Sequence, residues 1–443
     1  MSEKMSKLKI IVLDDDPTGS QTVHSCLLLT KWDTTTLREA LGGVSPLFFV
    51  LTNTRSLDSR GAMRVTREVC RNLAIVLKDT GVRPIPVSRS DSTLRGHYPV
   101  ETDVMEEELG PFDAHFLIPA FLEAGRVTRG STHYQKVNQQ EIPVHETEFA
   151  RDPIFGYKNS FLPAYVEEKT EGRIKSSQVE RFLLSDVRGS CLDRLMKLAG
   201  NRCCVVDAEN QQDLDRFAAD TLAALEKGKR FLFRSAASLL TSLSRLSPQP
   251  VPYDQMRRFV RDGRPGAIVV GSYVRKTTQQ LEELFTVPGT MPVEVHVEEI
   301  LSQREKLHGE ILMRAEQAHR EGKTSVIYTS RTEKRFSDPQ QQLSFSREVS
   351  TFLTSIVQNL PGTLGFLISK GGITSNDVLG KGLGLRSSRV LGQVYPGCSV
   401  VCIPSDHPRF PRMPVVLFPG NVGDDTALAL VYNRLADLSK APS

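Results

Sequence analysis

Three adjacent carboxylates, Asp14, Asp15 and Asp16, follow the apolar run Ile10-Ile11-Val12-Leu13 and lead into Pro17, Thr18 and Gly19. Like charges at the end of a buried strand repel one another, so cations or polar groups must face them. Two further run ends supply such partners. The stretch TNTRSL, Thr52 to Leu57, places Arg55 after the run PLFFVLT. The stretch SRSDSTLRGH, Ser88 to His97, sets Arg89, Asp91 and Arg95 among hydroxyls that include Ser90 and Ser92. Arg89 and Arg95 carry the planar fork that grips a carboxylate or phosphate, and Arg55 adds a third cation. Asp91 and the hydroxyls suit a polyol. Three loops of mixed charge predict a pocket for a small, hydroxylated anion such as a sugar acid.

The second half ends its apolar runs differently. Gly271-Ser272 follows GAIVV and opens a helix near Thr277, Gly371-Gly372 precede Thr374-Ser375, and Gly420-Asn421 and Gly423 follow PVVLF. Glycine lets backbone approach a phosphate closely, and the free N–H groups of a helix start favour anions. Three such turns predict a cradle for nucleotide phosphates. Asp424 and Asp425 either cap the last helix or add charge near a magnesium ion, and the cap is the simpler reading. Neither GxxxxGK[ST] nor GxGxxG is present, which disfavours an ordinary P-loop ATPase or a nicotinamide dehydrogenase.

The elements that hold these loops alternate. Twelve apolar runs (KIIVL, PLFFVLT, RPIPVS, HFLIPA, RCCVVDA, RFLFRS, GAIVVGS, VEVHV, TSVIYT, GFLIS, SVVCIP and PVVLFPG) read as strands. Helical patterns occupy 58–79, 177–198, 213–227, 277–286, 301–320, 345–358 and 424–438. Strands alternating with helices predict an α/β chain of two domains, each a largely parallel sheet flanked by helices. The Pro/Ser/Gln stretch near 245–255 is the expected linker, giving domains 1–245 and 256–443. The turn-rich segment 125–175 reads as an excursion from the first domain. Ligands of parallel sheets bind beyond the carboxyl ends of strands, where the loops above lie.

Composition narrows the function classes. A net charge of +4 with no Lys/Arg block of five or more gives no footprint for nucleic acid. No apolar run reaches the roughly 18 residues of a membrane span, and no apolar signal core precedes the first strand, so a cytoplasmic location is expected. Seven cysteines without paired CxxC spacing predict reduced, mostly buried thiols, and the near pair Cys398 and Cys402 lacks the other ligands of a metal site.

Together, DDPTG at 15–19, RSDSTLRGH at 89–97, KGGITS at 370–375 and PGNVG at 419–423 resemble the signatures of the four-carbon acid sugar kinase family. The resemblance runs over essentially the whole chain. It implies an N-terminal sugar-acid-binding domain and a C-terminal nucleotide-binding domain, with ATP phosphorylating compounds such as threonate, erythronate or 3-oxo-tetronate. It further implies that Asp15, Asp16, Arg55, Arg89, Asp91 and Arg95 face the acid sugar. Ser272, Gly371, Gly372, Thr374, Ser375, Gly420 and Gly423 would face ATP, with Ile373 and Asn421 in the same backbone stretches. Two departures mark a distinct branch: KGGITSND stands where other members resemble GGETSG, and the acidic motif extends to DDDPTGSQTVH rather than ending as DDLTGA.

On this view the active site lies in the inter-domain cleft and ATP and Mg2+ are the cofactors. Asp16 is the preferred general base over Asp91, whose flanking arginines depress its pKa. Two other classes stay open at this point. The run IIVLDDDPTG also fits the hhhhDxDx[TV] pattern of haloacid-dehalogenase-type phosphatases, with Asp14 as nucleophile, Asp16 as acid/base and Thr52 on the phosphate. A sugar-acid-binding protein without catalysis is the third. The metal ligands, the choice of sugar acid and the oligomeric state, a homodimer included, are not legible.

Overall fold

The computed structural model describes residues 7–137, 140–272, 274–331, 339–420 and 422–436. The chain divides into two compact units, Met1–Ser247 and Pro248–Ser443, with the division inside the proline-bearing stretch near 245–255.

Eight strands of the first unit form its main sheet. They are β1 (Leu8–Asp14), β2 (Leu27–Leu29), β3 (Leu47–Leu51), β4 (Arg83–Arg89), β5 (Ala114–Ile118), β9 (Glu180–Phe182), β10 (Arg202–Val206) and β11 (Phe231–Ser235). Three more, β6 (Arg126–Arg129), β7 (Thr132–Val137) and β8 (Gln140–Pro143), make a separate antiparallel sheet in the excursion. The main order is β2-β3-β1-β4-β11-β5-β10-β9, and every pairing in it is parallel. Helices cover both faces of such a sheet, so its strands are apolar throughout rather than alternating. In β1, six of seven residues are buried.

The helix Ser59–Thr80 shows how the crossovers are built. Asp58 accepts from the Gly61 amide at 2.7 Å and so satisfies an orphan donor of the first turn. Its buried residues Ala62, Thr66, Val69, Cys70, Leu73 and Val76 recur at helical spacing, and most join the core with Phe48 and Val50 of β3. This helix carries the chain from β3, on one side of β1, to β4 on the other. The chain therefore reverses direction between β1 and β4, and a switch of this kind leaves a crevice between the departing loops.

In the second unit the strands are β12 (Ala267–Val270), β13 (Thr290–Val295), β14 (Thr324–Thr329), β15 (Leu367–Lys370), β16 (Ser387–Tyr395), β17 (Cys398–Cys402) and β18 (Pro414–Phe418). Their order is β13-β14-β12-β15-β18-β17-β16. The pairings from β13 to β18 are parallel, and the same kind of reversal falls between β12 and β15.

The largely parallel character expected holds in both units, with two antiparallel pairings in the second, and two other sequence expectations need correction. The pairings of β16 with β17 and of β17 with β18 are antiparallel, because the chain returns through the short Pro396-Gly397 turn in the first case and the helix-free loop 403–413 in the second, with no crossover helix in either. The single helix expected over 177–198 is the strand β9 and two short helices, Leu184–Arg188 and Leu192–Lys197, interrupted at Gly189 and Ser190. Strands β2, β6, β7, β8, β9 and β16 were not expected, being short or polar. All seven cysteines are free thiols, six buried and Cys402 partly so. Among the described residues no helix is long and apolar enough to cross a membrane.

Candidate functional site

At the first reversal, strand β1 delivers its three carboxylates to three depths. Asp14 has no exposed surface, and Arg89 Nη1 lies 3.2 Å from its Oδ1. Asp15 is also buried and takes Arg55 through both nitrogens of a fork, Nη2 at 2.6 Å and Nε at 3.2 Å. Asp16 is the carboxylate that reaches the surface, its side chain 21% exposed, with Arg55 Nη1 at 3.6 Å and the Thr18 amide donating at 2.8 Å.

Burial pushes the Asp14 carboxyl up to about 7, with Arg89 offsetting part of that cost. Asp15 is raised by burial in the same way, against Arg55 and Arg89. At Asp16 burial again raises the pKa, but Arg55, Arg89 and the bonds from Thr18 outweigh it and hold the carboxyl below its usual value. The enclosed Asp14, with Gly19 packed against its carboxylate, is not presented to attack a phosphate, as a haloacid-dehalogenase nucleophile must be.

The loop after β4 closes the other side. Asp91 accepts from Arg95 Nε at 2.7 Å and from the Thr93 hydroxyl, and Arg95 Nη1 also lies 3.6 Å from Asp152. Burial opposes ionisation of Asp91, yet Arg95 and Arg55 prevail and hold it well below the carboxylate range. Ser90 donates to the Arg95 carbonyl at 3.0 Å, and the Ser92 carbonyl accepts from His133 Nε2 at 2.8 Å. His97 Nε2 lies 3.1 Å from the Thr54 carbonyl and 3.0 Å from that of Leu57, which ties the Arg55 loop to the Asp91 loop. Beneath them Arg234 pairs with Glu101 and donates to Ser88 Oγ at 2.6 Å. Ser90, Asp91, Leu117, Tyr165, Arg234 and Ser235 line a small recess there.

The second reversal gathers a different set. Gly271, Ser272, Gly371, Thr374 and Gly420 meet at the ends of β12, β15 and β18. A Cβ on Gly271 would stand 2.3 Å from Thr374 Oγ1, so only glycine lets these loops close. Gly371 has φ +115, a region side chains avoid, and its amide donates to the Phe418 carbonyl at 2.9 Å. Ser375 turns inward, its hydroxyl donating to the Ser369 carbonyl at 3.1 Å. Gly372 opens the short helix Gly372–Asp377, and Gly423 accepts Lys276 Nζ at 3.1 Å through its carbonyl. Asn421 and the side chain of Ile373 lie outside the described residues. Asp424 accepts from the Thr426 amide at 3.1 Å and so shapes the turn before the helix Ala427–Leu435.

Several residues here were not singled out from sequence. Lys370 ends β15 with no exposed surface, donating to the carbonyls of Pro419 at 3.1 Å and Gly420 at 3.5 Å, 4.2 Å above the Phe418 ring. Burial pulls its pKa down to about 7, and Lys276 and Arg331 nearby add to the fall. Arg331 donates to the Ser272 carbonyl at 2.7 Å. A lysine closing the apolar run GFLIS was a readable signal, whereas Arg126, Glu101 and Arg234 of the first unit carried none. Among the described residues no group of three or more His, Cys, Asp or Glu side chains could hold a metal ion.

Two family models match the chain. One, described as a sugar-binding N-terminal domain, spans residues 10–243, and the other, a nucleotide-binding C-terminal domain, spans 267–428. The chain belongs to the four-carbon acid sugar kinase family. The sugar-binding match encloses all of the carboxylate–arginine cluster, and the nucleotide-binding match all of the glycine-lined one. A curated relative, D-erythronate kinase of Heliobacterium modesticaldum, is 25% identical over 323 residues, 68% of this chain and 67% of that protein. A Salmonella typhimurium LT2 structure, provisionally designated a tRNA synthase, superposes with a TM-score of 0.70 at 19% identity, covering 96% of this chain and 98% of its own. Haemophilus influenzae protein HI1011, of the DUF1537 family model, gives 0.64 at 16% identity over 96% and 100%. These two share the fold of this kinase family member.

Proposed function

We propose that this chain is an ATP-dependent kinase that phosphorylates a hydroxyl of a small, four-carbon sugar acid such as threonate, erythronate or 3-oxo-tetronate. The observation that carries the reading is the convergence of Asp16, Arg55, Asp91 and Arg95 at the β1/β4 reversal, inside the stretch that matches a sugar-binding domain. Phosphoryl transfer asks little covalent work of a protein; it asks for alignment and charge neutralisation.

In this reading Asp16, the exposed member of the triad, accepts the proton of the attacking hydroxyl. Its pKa is lowered as that of Asp91 is, so exposure rather than basicity is the ground for choosing it, and a loose transition state needs orientation more than basicity. Asp91, held ionised by its arginines, orients neighbouring hydroxyls together with Ser90 and Ser92. Arg55 and Arg95 hold Asp15, Asp16 and Asp91 in place and offset their charge, so that an acid can approach, while the buried Arg89 acts through Asp14 and Asp15 by fixing the triad.

For the nucleotide, the donor set fits a polyphosphate: Lys276 and Arg331 bind only backbone carbonyls and a hydroxyl among the described residues, so their charge is available to an anion. Ser272, Thr374 and the backbone at 371–375, Gly420, Val422 and Gly423 would line the phosphates. Magnesium, when bound, would neutralise charge on the β- and γ-phosphates, held mainly by their oxygens. Direct transfer requires the acid and ATP to be bound at the same time, with the attacking hydroxyl in line with the γ-phosphate.

The test is incubation with MgATP and a panel of four- to six-carbon sugar acids, with ADP release and product mass as readouts. Formation of a phosphorylated acid is the expected result. Failure of every acid in the panel to release ADP, or phosphate release from sugar phosphates without ATP, would refute the reading.

A further inference from the structure

The arginines around the first reversal differ in how fully they are occupied. Arg55 is committed to Asp15 and Asp16, Arg89 to Asp14 and Asp15, Arg95 to Asp91 and Asp152, and Arg234 to Glu101. Arg126 has no carboxylate within ion-pairing distance among the described residues, and its Nε is buried with no hydrogen-bond partner.

The position of Arg126 is fixed by backbone. It opens β6, where its amide donates to the Phe121 carbonyl at 2.9 Å and its carbonyl accepts from the Phe121 amide at 3.0 Å. Its guanidinium lies 5.8 Å from the centre of the Phe149 ring, and the guanidinium of Arg95 lies 4.9 Å from the centre of the same ring. Two cations sharing one phenyl ring repel each other, and Asp91, whose charge acts on Arg126, is already spent on Arg95 and Thr93. Burial holds the Arg126 pKa below the ordinary arginine value, with Asp91 offsetting only part of the cost. A charged N–H donor left buried and unpaired is costly, so the arrangement is incomplete until an anion arrives.

We propose that Arg126 grips the carboxylate of the acid substrate, and that this contact makes the site choose sugar acids over neutral polyols. The proposal rests on the reading of this site as a sugar-acid site. Arg126 is half-buried, hence reachable, and its rigid fork matches a carboxylate bidentately. The hydroxyl end of the ligand would then extend past Asp91 toward Asp16. Arg126 is in this sense a specificity-determining residue: a site built around such a donor rejects ligands that leave it unpaired.

The experiment uses the full chain and its variants Arg126→Gln and Arg126→Lys. Calorimetric affinities are measured for erythronate and threonate, for the neutral alditols erythritol and threitol, and for MgATP, and transfer of phosphate to each acid is followed in parallel. The expected result for Arg126→Gln is an acid affinity weakened roughly a hundredfold, with alditol and MgATP affinities unchanged. Arg126→Lys, which keeps the charge and loses the fork, should weaken acid binding by about tenfold. If the glutamine variant does not fold, the lysine variant decides by the same acid-to-alditol comparison.

Unchanged acid affinity in the variants, or equal loss for acids and alditols, overturns the role of Arg126 while the kinase reading stands. A wild-type chain that binds the acids and shows the Arg126 dependence, yet transfers no phosphate, overturns the kinase reading and leaves the carboxylate contact intact. A wild-type chain that binds none of these acids overturns both.

Discussion

Strands β1 and β15 each end in a buried ionisable side chain beside the reversal of their sheet, yet the two are compensated in opposite ways. Asp14 is met by a guanidinium, and the carboxylates that follow it are met by others, so the first unit balances charge with charge. Lys370 is met by two carbonyl oxygens and the face of a phenyl ring, and its cationic neighbours Lys276 and Arg331 likewise lean on carbonyls. Dipoles lower the cost of burying a cation without cancelling its charge. The first arrangement suits a weakly charged, hydroxyl-rich guest, for which orientation matters most. The second keeps a net positive field at a glycine-lined opening, which suits a polyphosphate.

The largest expected effect of breaking this division of labour comes from Asp16. Asp16→Asn keeps an acceptor for Thr18 and removes the charge, so turnover should fall by roughly a hundredfold to ten-thousandfold while MgATP still binds. Near wild-type kcat in that variant would move the base elsewhere, with Asp91 next to be tried. On the other side, Gly271→Ala drives a methyl group into Thr374 Oγ1 and Leu353 Cδ1, which would lie at 2.3 and 3.1 Å. The affinity for ATP should drop by roughly tenfold or more, with sugar-acid affinity unchanged. Loss of both affinities together would show that the two sets of loops are not independent ligand sites.

Much of this was legible because the same residues carry fold and function. Apolar runs bounded by polar clusters marked each of the twelve expected strands, and the rule that ligands bind beyond strand ends then pointed to Asp16, Arg55, Asp91, Ser272 and Gly371. What sequence could not rank was the depth of neighbours. Asp14, Asp15 and Asp16 are equivalent as letters, yet Asp14 and Asp15 are enclosed with Arg89 and Arg55 while Asp16, held by Thr18, reaches the surface. Arg89 and Arg126 show the same limit from the side of the cations. Arg89 sits in a motif and is enclosed, whereas Arg126 lies in a turn-rich excursion and keeps a buried N–H unpaired, held by a local backbone bridge to Phe121 and beside the ring of Phe149, 23 residues on. The direction of β17 was not legible because SVVCIP reads alike in either direction of pairing, and β16 was missed because its buried residues alternate with partly exposed ones over Ser387–Tyr395.

The smallest expected effect sharpens the comparison through pH. Burial raises Asp14 to about 7, so between about pH 4 and 7 the unfolded chain releases a proton that the folded chain retains, and stability falls as pH rises through that window. Lys370, lowered to about 7, gives the opposite slope in the adjoining window: from about pH 7 to 10.5 the unfolded chain holds a proton that the folded chain has lost, and stability rises. Subtracting Asp14→Asn from wild type should isolate a decline of about 2–4 kcal/mol, and subtracting Lys370→Met a rise of similar size. Trp32, the single tryptophan, lies in the first unit and reports its unfolding by fluorescence in urea, while circular dichroism follows both units, so that a transition it shows without a fluorescence change belongs to the second. Slopes of the same sign, or none, would mean that burial does not set the charge state of these two strand ends, and that the contrast between paired and dipole-held charge is not what separates the two sites.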